Sequence, residues 1–470
     1  METIIQQFVQ KLTKMLLEEV ASNGGIAEMD VLCSRMNEIC QAQLCELITQ
    51  LISFANRSLR EDKAFRRELG FVMKERDRQR SILTEIGNIT YARDCYTDKA
   101  SGHCCFPLDV YLGVAKRERV SDQVSARLVE EATKMSYQRS ADVVTDGQIS
   151  RQTVCSKIQK LGHEEIPIPT ARKQVEELHL FADEDHVHLQ DKKHELSGRK
   201  SKIVPIICVT EGIRDSGKGR RSTVGRIAFV DRNFDSRALW DRVAAYIAAG
   251  YDPKRVYIHG DGGNWIKRGL DVIPNAVPVL DGFHIERALK SVTSHFPKMN
   301  YRYRILDAIR ENDISKVNRL MSEMVQNAED EKLQGDVRDA YRYIYNNWQG
   351  AVNRYADGMP GSCTEGMVSH ILSERLSRNP MGWSEAGLGA VSDLRTYVIN
   401  GGKIDGKDFR QDEGRKYKSA LMEYADNMFD MAIAGFHDWS IFEKASPIID
   451  QNSGTQQLLR HLGERTNPLC

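Results

Sequence analysis

No apolar run in the 470 residues approaches the roughly 20 needed to cross a bilayer, so no membrane segment is expected. The start, METIIQQFVQKLTKMLLEEV, lacks the basic opening, continuous apolar block and small-residue cleavage site of a secretory signal. A cytoplasmic protein is the expectation. Ten cysteines are scattered with no Cys-x-x-Cys pair, which argues against a disulfide framework and for reduced thiols. Cys95, His103, Cys104 and Cys105 fit no standard zinc spacing, and buried or incidental thiols are the expected reading. An excess of one charge is also missing: 66 Lys and Arg balance 66 Asp and Glu. Any binding to phosphate must therefore come from local clusters of charge. Repeats and low-complexity tracts are absent. What remains is a chain with 41% hydrophobic and 28% charged residues. It is long enough for about three domains with ordinary cores.

The N-terminal region reads as helical. Ile5, Phe8, Val9, Leu12 and Leu16 recur at helical spacing, as do Leu32, Met36, Ile39, Leu44, Leu47 and Leu51, with Gly24-Gly25 as the break. Residues 57–80 hold nine Lys or Arg against five acids and read as a solvated helix, with DNA backbone contact as the alternative. Residues 81–112 suggest short strands and turns. Residues 122–160 predict a helix-turn-helix. Asp146-Gly147 marks the turn and Ser150 caps a last helix that presents Arg151, Gln152, Ser156 and Lys157 outward, as base-edge and phosphate contacts require. Many helical hairpins share this pattern without touching DNA. Ile166-Pro167-Ile168-Pro169 reads as an extended linker.

From residue 176 the pattern is α/β. Strands are predicted at Leu178–Gln190, Ile203–Thr210, Thr223–Val230, Val256–Ile258 and Val277–Leu280, with a helix over 235–250. Three leading strands, a helix and then alternating strands and helices match a ribonuclease-H-like mixed sheet. Residues 285–357 lose strand character and read as an all-α insertion, and 365–378 return as a helix. An amphipathic helix is expected near 415–433. The expected divisions are 1–80, a small β-containing unit at 81–121, the helix-turn-helix and linker at 122–175, a core at 176–284, the insertion at 285–362, a returning helix and motif at 363–400, and a helical end at 401–470.

Three acids stand out: Asp183 inside the first core strand, Asp261 just past a buried strand, and Glu365 at the start of a late helix. Burying an unpaired carboxylate is costly, and Mg²⁺, which takes carboxylate oxygens, is one compensation. Two such ions activate an attacking oxygen and stabilise a leaving one in phosphoryl displacement. Each acid has a structural alternative. Asp185 shares the strand face of Asp183 and is its rival. Asp261 before Gly-Gly also suits a turn, Glu365 suits a helix first turn, and Glu374 is a second candidate on the same helix.

The order strand-Asp183, strand-Asp261, helical insertion and helix-Glu365 resembles the DDE transposases of the Mutator-like class. That class carries a Cys or Asp, two residues, then His before the insertion, and Asp281-Gly282-Phe283-His284 matches. The stretches 183–190, 260–266, 369–377 and 379–384 are similar to the bacterial insertion-sequence transposases of the ISLre-two group. The resemblance covers nearly the whole chain. It implies that Asp183, Asp261 and Glu365 hold two Mg²⁺ ions, or Mn²⁺ in their place. It implies cleavage of double-stranded DNA at the element's ends and joining of the 3′-hydroxyls to target DNA. Asp281 and His284 would position the strand, with Arg287, Lys267 and Arg268 near phosphate. Arg220-Arg221 has two readings, a strand-joining loop facing DNA and ordinary surface. Joining two ends implies a homodimer or higher oligomer on DNA. The alternatives are a ribonuclease-H-like nuclease without strand transfer and a non-catalytic helix-turn-helix regulator.

Overall fold

A computed structural model describes residues 2–22, 28–161, 166, 169–190, 201–215, 217, 221–378, 382–410 and 417–424. The chain is a mixed α/β protein that divides into two compact units. One is built from residues up to Ala126 together with those from Asp405 onward, the other from Arg127–Ile404. Among the described residues no helix is long and apolar enough to cross a membrane.

The first unit opens with helices α1 (Glu2–Ser22), α2 (Met29–Glu61) and α3 (Lys63–Glu68). Helix α1 packs against α2. The strands β1 (Phe71–Thr84), β2 (Gly87–Asp98) and β3 (Cys104–Cys105) then form one antiparallel sheet, followed by the short α4 (Pro107–Tyr111). The charge-rich segment 57–80 is thus only half helical, which corrects the reading from charge alone. The tight turn before Gly87 (φ 133°) pairs the second half with β2, and long-range pairing overrides local preference. Its arginines serve the fold. Arg60 grips Asp94 with two bonds of 2.7 Å, and Arg80 is buried against Asp109 and the carbonyls of Ala115 and Glu118. Lys74 donates to Cys104 (2.8 Å), while Cys95 is buried.

The unit boundary falls within α5 (Asp122–Ala132). Next come α6 (Tyr137–Thr145) and α7 (Arg151–Lys160). Asp146 (φ 50°) and Gly147 (φ 74°) make the left-handed turn, and the Ser150 hydroxyl accepts from the Thr153 N–H.

The second unit is organised by a five-stranded sheet. Its strands are β4 (Lys173–His188), β5 (Ser201–Thr210), β8 (Ile227–Val230), β9 (Tyr251–Gly260) and β10 (Ala276–Leu280), in the order β10-β9-β4-β5-β8. Between β5 and β8 lies a hairpin of β6 (Gly212–Asp215) and β7 (Arg221–Val224). The single strand expected over 223–230 is therefore two, broken at Gly225 (φ 59°). β5 and β8 run antiparallel to their neighbours, whereas β4, β9 and β10 are parallel. Helices α8 (Ser236–Gly250) and α9 (Asn264–Val272) cover the face that carries Leu178, Leu180, Ala182, Val256 and Ile258.

After β10 come α10 (Gly282–Thr293), α11 (Tyr301–Arg310), α12 (Ile314–Gln326), α13 (Glu331–Asn346) and α14 (Trp348–Arg354). Their apolar stripes meet in a core of their own, including Ile285, Leu289, Ile305, Leu320, Val337 and Ile344. α14 lies along the edge strand: Gly350 sits against Leu280, and Asn353 donates to the Pro278 carbonyl (2.8 Å). The chain returns in α15 (Thr364–Val368), a π-helical turn at Ser369–Ser373, α16 (Glu374–Leu376) and α17 (Glu385–Ile399). The helix expected over 365–378 is interrupted by that wide turn. Of the helix expected near 415–433, residues 417–424 are helical, and the rest lies outside the described residues, as do the 379–381 part of the last motif and Arg220.

Two buried arginines tie the returning helices to the end of α5. Arg375 donates to the Ala132 carbonyl (2.9 Å) and lies over Tyr137 and Trp383. Arg395 donates to the carbonyls of Thr133, His370 and Ile371. Stranding buried carbonyls costs about 1–3 kcal/mol each. Arg395→Met is expected to lower the unfolding free energy by about 3 kcal/mol, read from the urea midpoint at constant slope. A change under about 0.5 kcal/mol would contradict this role.

Candidate active site

The parallel strands place three aspartates in one row. Phe181 of β4 pairs with His259 of β9, and Val279 of β10 pairs with the same His259. Two residues on come Asp183, inside β4, and Asp261 and Asp281, just past the carboxyl ends of β9 and β10. β4 and β9 part after the Phe181–His259 pair, leaving a crevice beside a strand whose neighbours run in opposite senses, a common place for ligands in such sheets.

Close approach at this point depends on glycine. A Cβ on Gly260 would lie 2.9 Å from the Ala182 carbonyl oxygen. Gly262 has φ 85°, and its Cβ would collide with the Asn347 side chain. The Asp261 carboxylate accepts from the Gly263 N–H (2.8 Å), and the Asp261 carbonyl accepts from the Tyr343 hydroxyl (2.9 Å). The helical insertion therefore supports the Asp261 loop through Tyr343 and Asn347 of α13 and the turn after it.

The strand alternation separates the neighbouring acids. Glu184 faces the opposite side, where it accepts from Trp265 Nε1 (2.8 Å). Asp185 shares the face of Asp183, but its two oxygens accept from Ser377 Oγ at 3.1 and 3.0 Å. Among the described residues Asp183 has no side-chain partner of this kind and accepts only from the Glu184 backbone N–H. Burial pushes its carboxyl up to about 6, with Asp261 and Asp281 adding to the rise and the Glu184 N–H and His284 opposing it.

Asp281 is only 3% exposed and caps α10 by accepting from the Phe283 N–H (3.1 Å). Burial raises its carboxyl, but hydrogen bonding from His284, Phe283 and Ser362 outweighs that and holds it below the usual range. His284 Nδ1 lies 3.5 Å from the Asp281 carboxylate. Its interaction with the Asp281 carboxylate, which accepts, and further attraction to Asp261 and Asp183 raise the imidazole above its ordinary value. Asp281 is thus a buried cap of α10 and the counter-ion of His284, and it also lines the cleft that holds Glu365. Arg287 is exposed, while Lys267 reaches the Asn346 carbonyl at 3.4 Å.

Glu365 is exposed and lines a cleft of about 950 Å³ that also includes Asp281, Phe283, Arg226, Arg354 and His370. Glu374 instead pairs with Arg395 at 3.2 Å. Among the described residues no three His, Cys, Asp or Glu side chains stand together as a ligand set for a metal. The Asp183 and Asp261 carboxylates fit a hard cation by donor type and by the raised Asp183 carboxyl. Glu365 lines the cleft with Asp281 and does not close on them.

On α7, Arg151 and Gln152 are exposed, and Ser156 is half-buried. Lys157 is 6% exposed and lies on the buried stripe with Val154 and Ile158, which corrects its expected outward role. Arg226, Arg354 and Phe283 were not singled out by sequence, because nothing local marks a cleft assembled from three separate segments.

Residues 23–413 match a family model described as "Uncharacterised protein family (UPF0236)". A UPF0236 protein of Caldanaerobacter subterraneus subsp. tengcongensis, whose name covers eleven loci, is 34% identical over 430 residues, spanning 89% of this chain and 87% of its own. Another from the same organism, covering four loci, is 33% identical over 427 residues, with 89% and 87% coverage. The fold and site thus belong to a mixed α/β protein with an acidic crevice, and the chain is a member of the UPF0236 family.

The raised Asp183 carboxyl has a consequence for stability. Protonation in the fold is favoured, so this contribution is full below the ordinary value of 3.8 and is lost as pH climbs through about 6. In chelator, Asp183→Asn should match the wild type near about pH 4 and exceed it by about 2 kcal/mol near about pH 7.5. Urea unfolding at the two pH values checks this, and an equal difference at both would refute the burial argument.

Proposed function

We propose that this protein is a DDE transposase of the Mutator-like class, closest in type to the ISLre-two group. It would cut DNA at the ends of an insertion sequence and join the 3′ ends to target DNA. The observation that carries the reading is the placement of Asp183 and Asp261 two residues beyond the last registered pair, Phe181 with His259, of the parallel strands β4 and β9, with Asp281 and Glu365 lining one cleft. The strand order β10-β9-β4-β5-β8, with three leading antiparallel strands followed by two parallel ones, supports a ribonuclease-H-like core. A family name spread over eleven loci of one genome is what a self-propagating element leaves behind.

Asp183 and Asp261 would hold Mg²⁺, or Mn²⁺, with Glu365 completing the set. Two such ions, when bound, supply activation of the attacking oxygen and stabilisation of the leaving oxygen. The chain's own residues do the positioning. Tyr343 and the glycines fix the Asp261 loop. Asp281 raises the His284 imidazole above its ordinary value, and a ring N–H of His284 would donate to a phosphate oxygen. Strand transfer from two ends requires two such sites, so the acting species on DNA is at least a dimer.

Asp183→Asn, Asp261→Asn and Glu365→Gln should each reduce metal-dependent cleavage of end-bearing DNA to background while end binding persists. Asp185→Asn and Glu374→Gln should still cleave, since those acids serve Ser377 and Arg395. Activity in Glu365→Gln with none in Glu374→Gln would reverse the assignment of the third acid.

The helices α5 to α7 are read as the helix-turn-helix that recognises the ends, with Arg151 and Gln152 as its outward contacts. A good bidentate base contact is worth about 1–3 kcal/mol of discrimination. Replacing both with Ala should weaken binding to the ends more than to random duplex, measured by fluorescence anisotropy. Lys157→Ala should instead act through stability. Equal losses on both DNAs would make Arg151 and Gln152 backbone contacts.

A further inference from the structure

Phe283 is 51% exposed. It stands between Asp281 and His284, on the wall of the cleft that holds Glu365. A phenyl ring left in water forgoes about 1.5–3 kcal/mol of burial, and its neighbours do not cover it. Its ring meets His284 edge-on, with centroids 5.4 Å apart.

Opposite the start of α10, Arg354 closes the same cleft. A Cβ on Gly282 would lie 3.0 Å from Arg354 Nε, so the guanidinium rests directly on the Asp281-Gly282-Phe283 turn. That Nε is buried and has no hydrogen-bond partner. A buried donor without an acceptor is costly, and an anionic oxygen is the acceptor that suits a guanidinium best. The acids nearby are already engaged: Glu286 accepts from Arg302 Nε (2.7 Å), and Asp281 faces His284. Arg226 lines the cleft as a second guanidinium.

An exposed aromatic ring beside two arginines, in a space of about 950 Å³, matches the needs of a nucleotide with its flanking phosphates. Bases inside a duplex are stacked on one another and cannot lie on a protein ring, whereas an unpaired base has a free face. Resting on the nuclease reading above, we infer that the cleft binds an unpaired DNA nucleotide next to the phosphate that is cut. Its base stacks on Phe283 and its phosphates are held by Arg354 and Arg226. The substrate is then a frayed or single-stranded end, and the helical insertion supplies part of the grip through α14.

The test is binding of the full chain, in chelator, to two labelled DNAs of one sequence, one fully paired and one with an unpaired terminus. Stacking is worth about 1–3 kcal/mol per base, and about 1.4 kcal/mol is tenfold. Phe283→Ala should weaken binding to the frayed DNA by about 5- to 150-fold and leave the paired DNA within about twofold. Phe283→Trp should retain the preference, which separates stacking from a folding defect. Arg354→Ala should lower the slope of log affinity against log salt by about 1. Unchanged binding of the frayed DNA by Phe283→Ala, or equal loss on both DNAs, would overturn the inference. A wild-type chain that keeps the Phe283-dependent preference but never cleaves with Mg²⁺ would support the nucleotide site and contradict the nuclease reading. A wild-type chain that cleaves, with frayed-end binding that ignores Phe283→Ala, would overturn the site alone.

Discussion

Parallel pairing of β4, β9 and β10 is the constraint on which the site depends. The register that joins Phe181, His259 and Val279 also fixes where Asp183, Asp261 and Asp281 emerge. Side chains alternate along a strand, and a slip of one residue would turn each of these acids to the other face. The register is held from below by aromatic packing. Phe181 stacks on His259 with centroids 4.4 Å apart, and His179 Nδ1 lies 3.0 Å from His259 Nε2. Burial holds His259 neutral down to about 3, so this layer stays uncharged beneath a charged row.

The helical insertion is part of that arrangement. Its core takes in Leu280 of β10, and its helices meet the sheet and its loops at defined points: Tyr343 on the Asp261 carbonyl, Asn347 against Gly262, Gly350 against Leu280 and Arg354 over Gly282. The long connection after β10 thus protects an edge strand and holds the loop that carries an acid. Repulsion among three neighbouring carboxylates is relieved in two ways: Asp281 has His284 as counter-ion, and Asp183 shifts toward its neutral form.

Much of this was legible in the sequence because buried strands followed by acids and glycines leave a strong local signal. The strands around Asp183 and Asp261, the Asp146-Gly147 turn and the Ser150 cap all lie where local pattern placed them. Residues 57–80 misled because abundant charge hid a strand whose pairing comes from β2. Lys157 misled for a different reason. Val154, Lys157, Ile158 and Leu161 form one stripe at helical spacing, and the stripe is buried. The spacing was available, but the charge of the residue outweighed it. That Asp185 meets Ser377 and Glu374 meets Arg395 depends on tertiary partners that no local pattern announces. Phe283 needed exposure, which a sequence does not display.

The central claim is that this chain cuts and joins DNA at defined ends. The most direct measurement incubates the purified full chain with Mg²⁺, a DNA fragment carrying the natural flanks of its coding region, and a target plasmid, and maps every new 3′ end and junction by sequencing. The account predicts metal-dependent nicks at fixed positions on both flanks and junctions that join those same 3′ ends to the plasmid. Sequence-specific binding of the flanks with no nick and no junction at any metal concentration would contradict it.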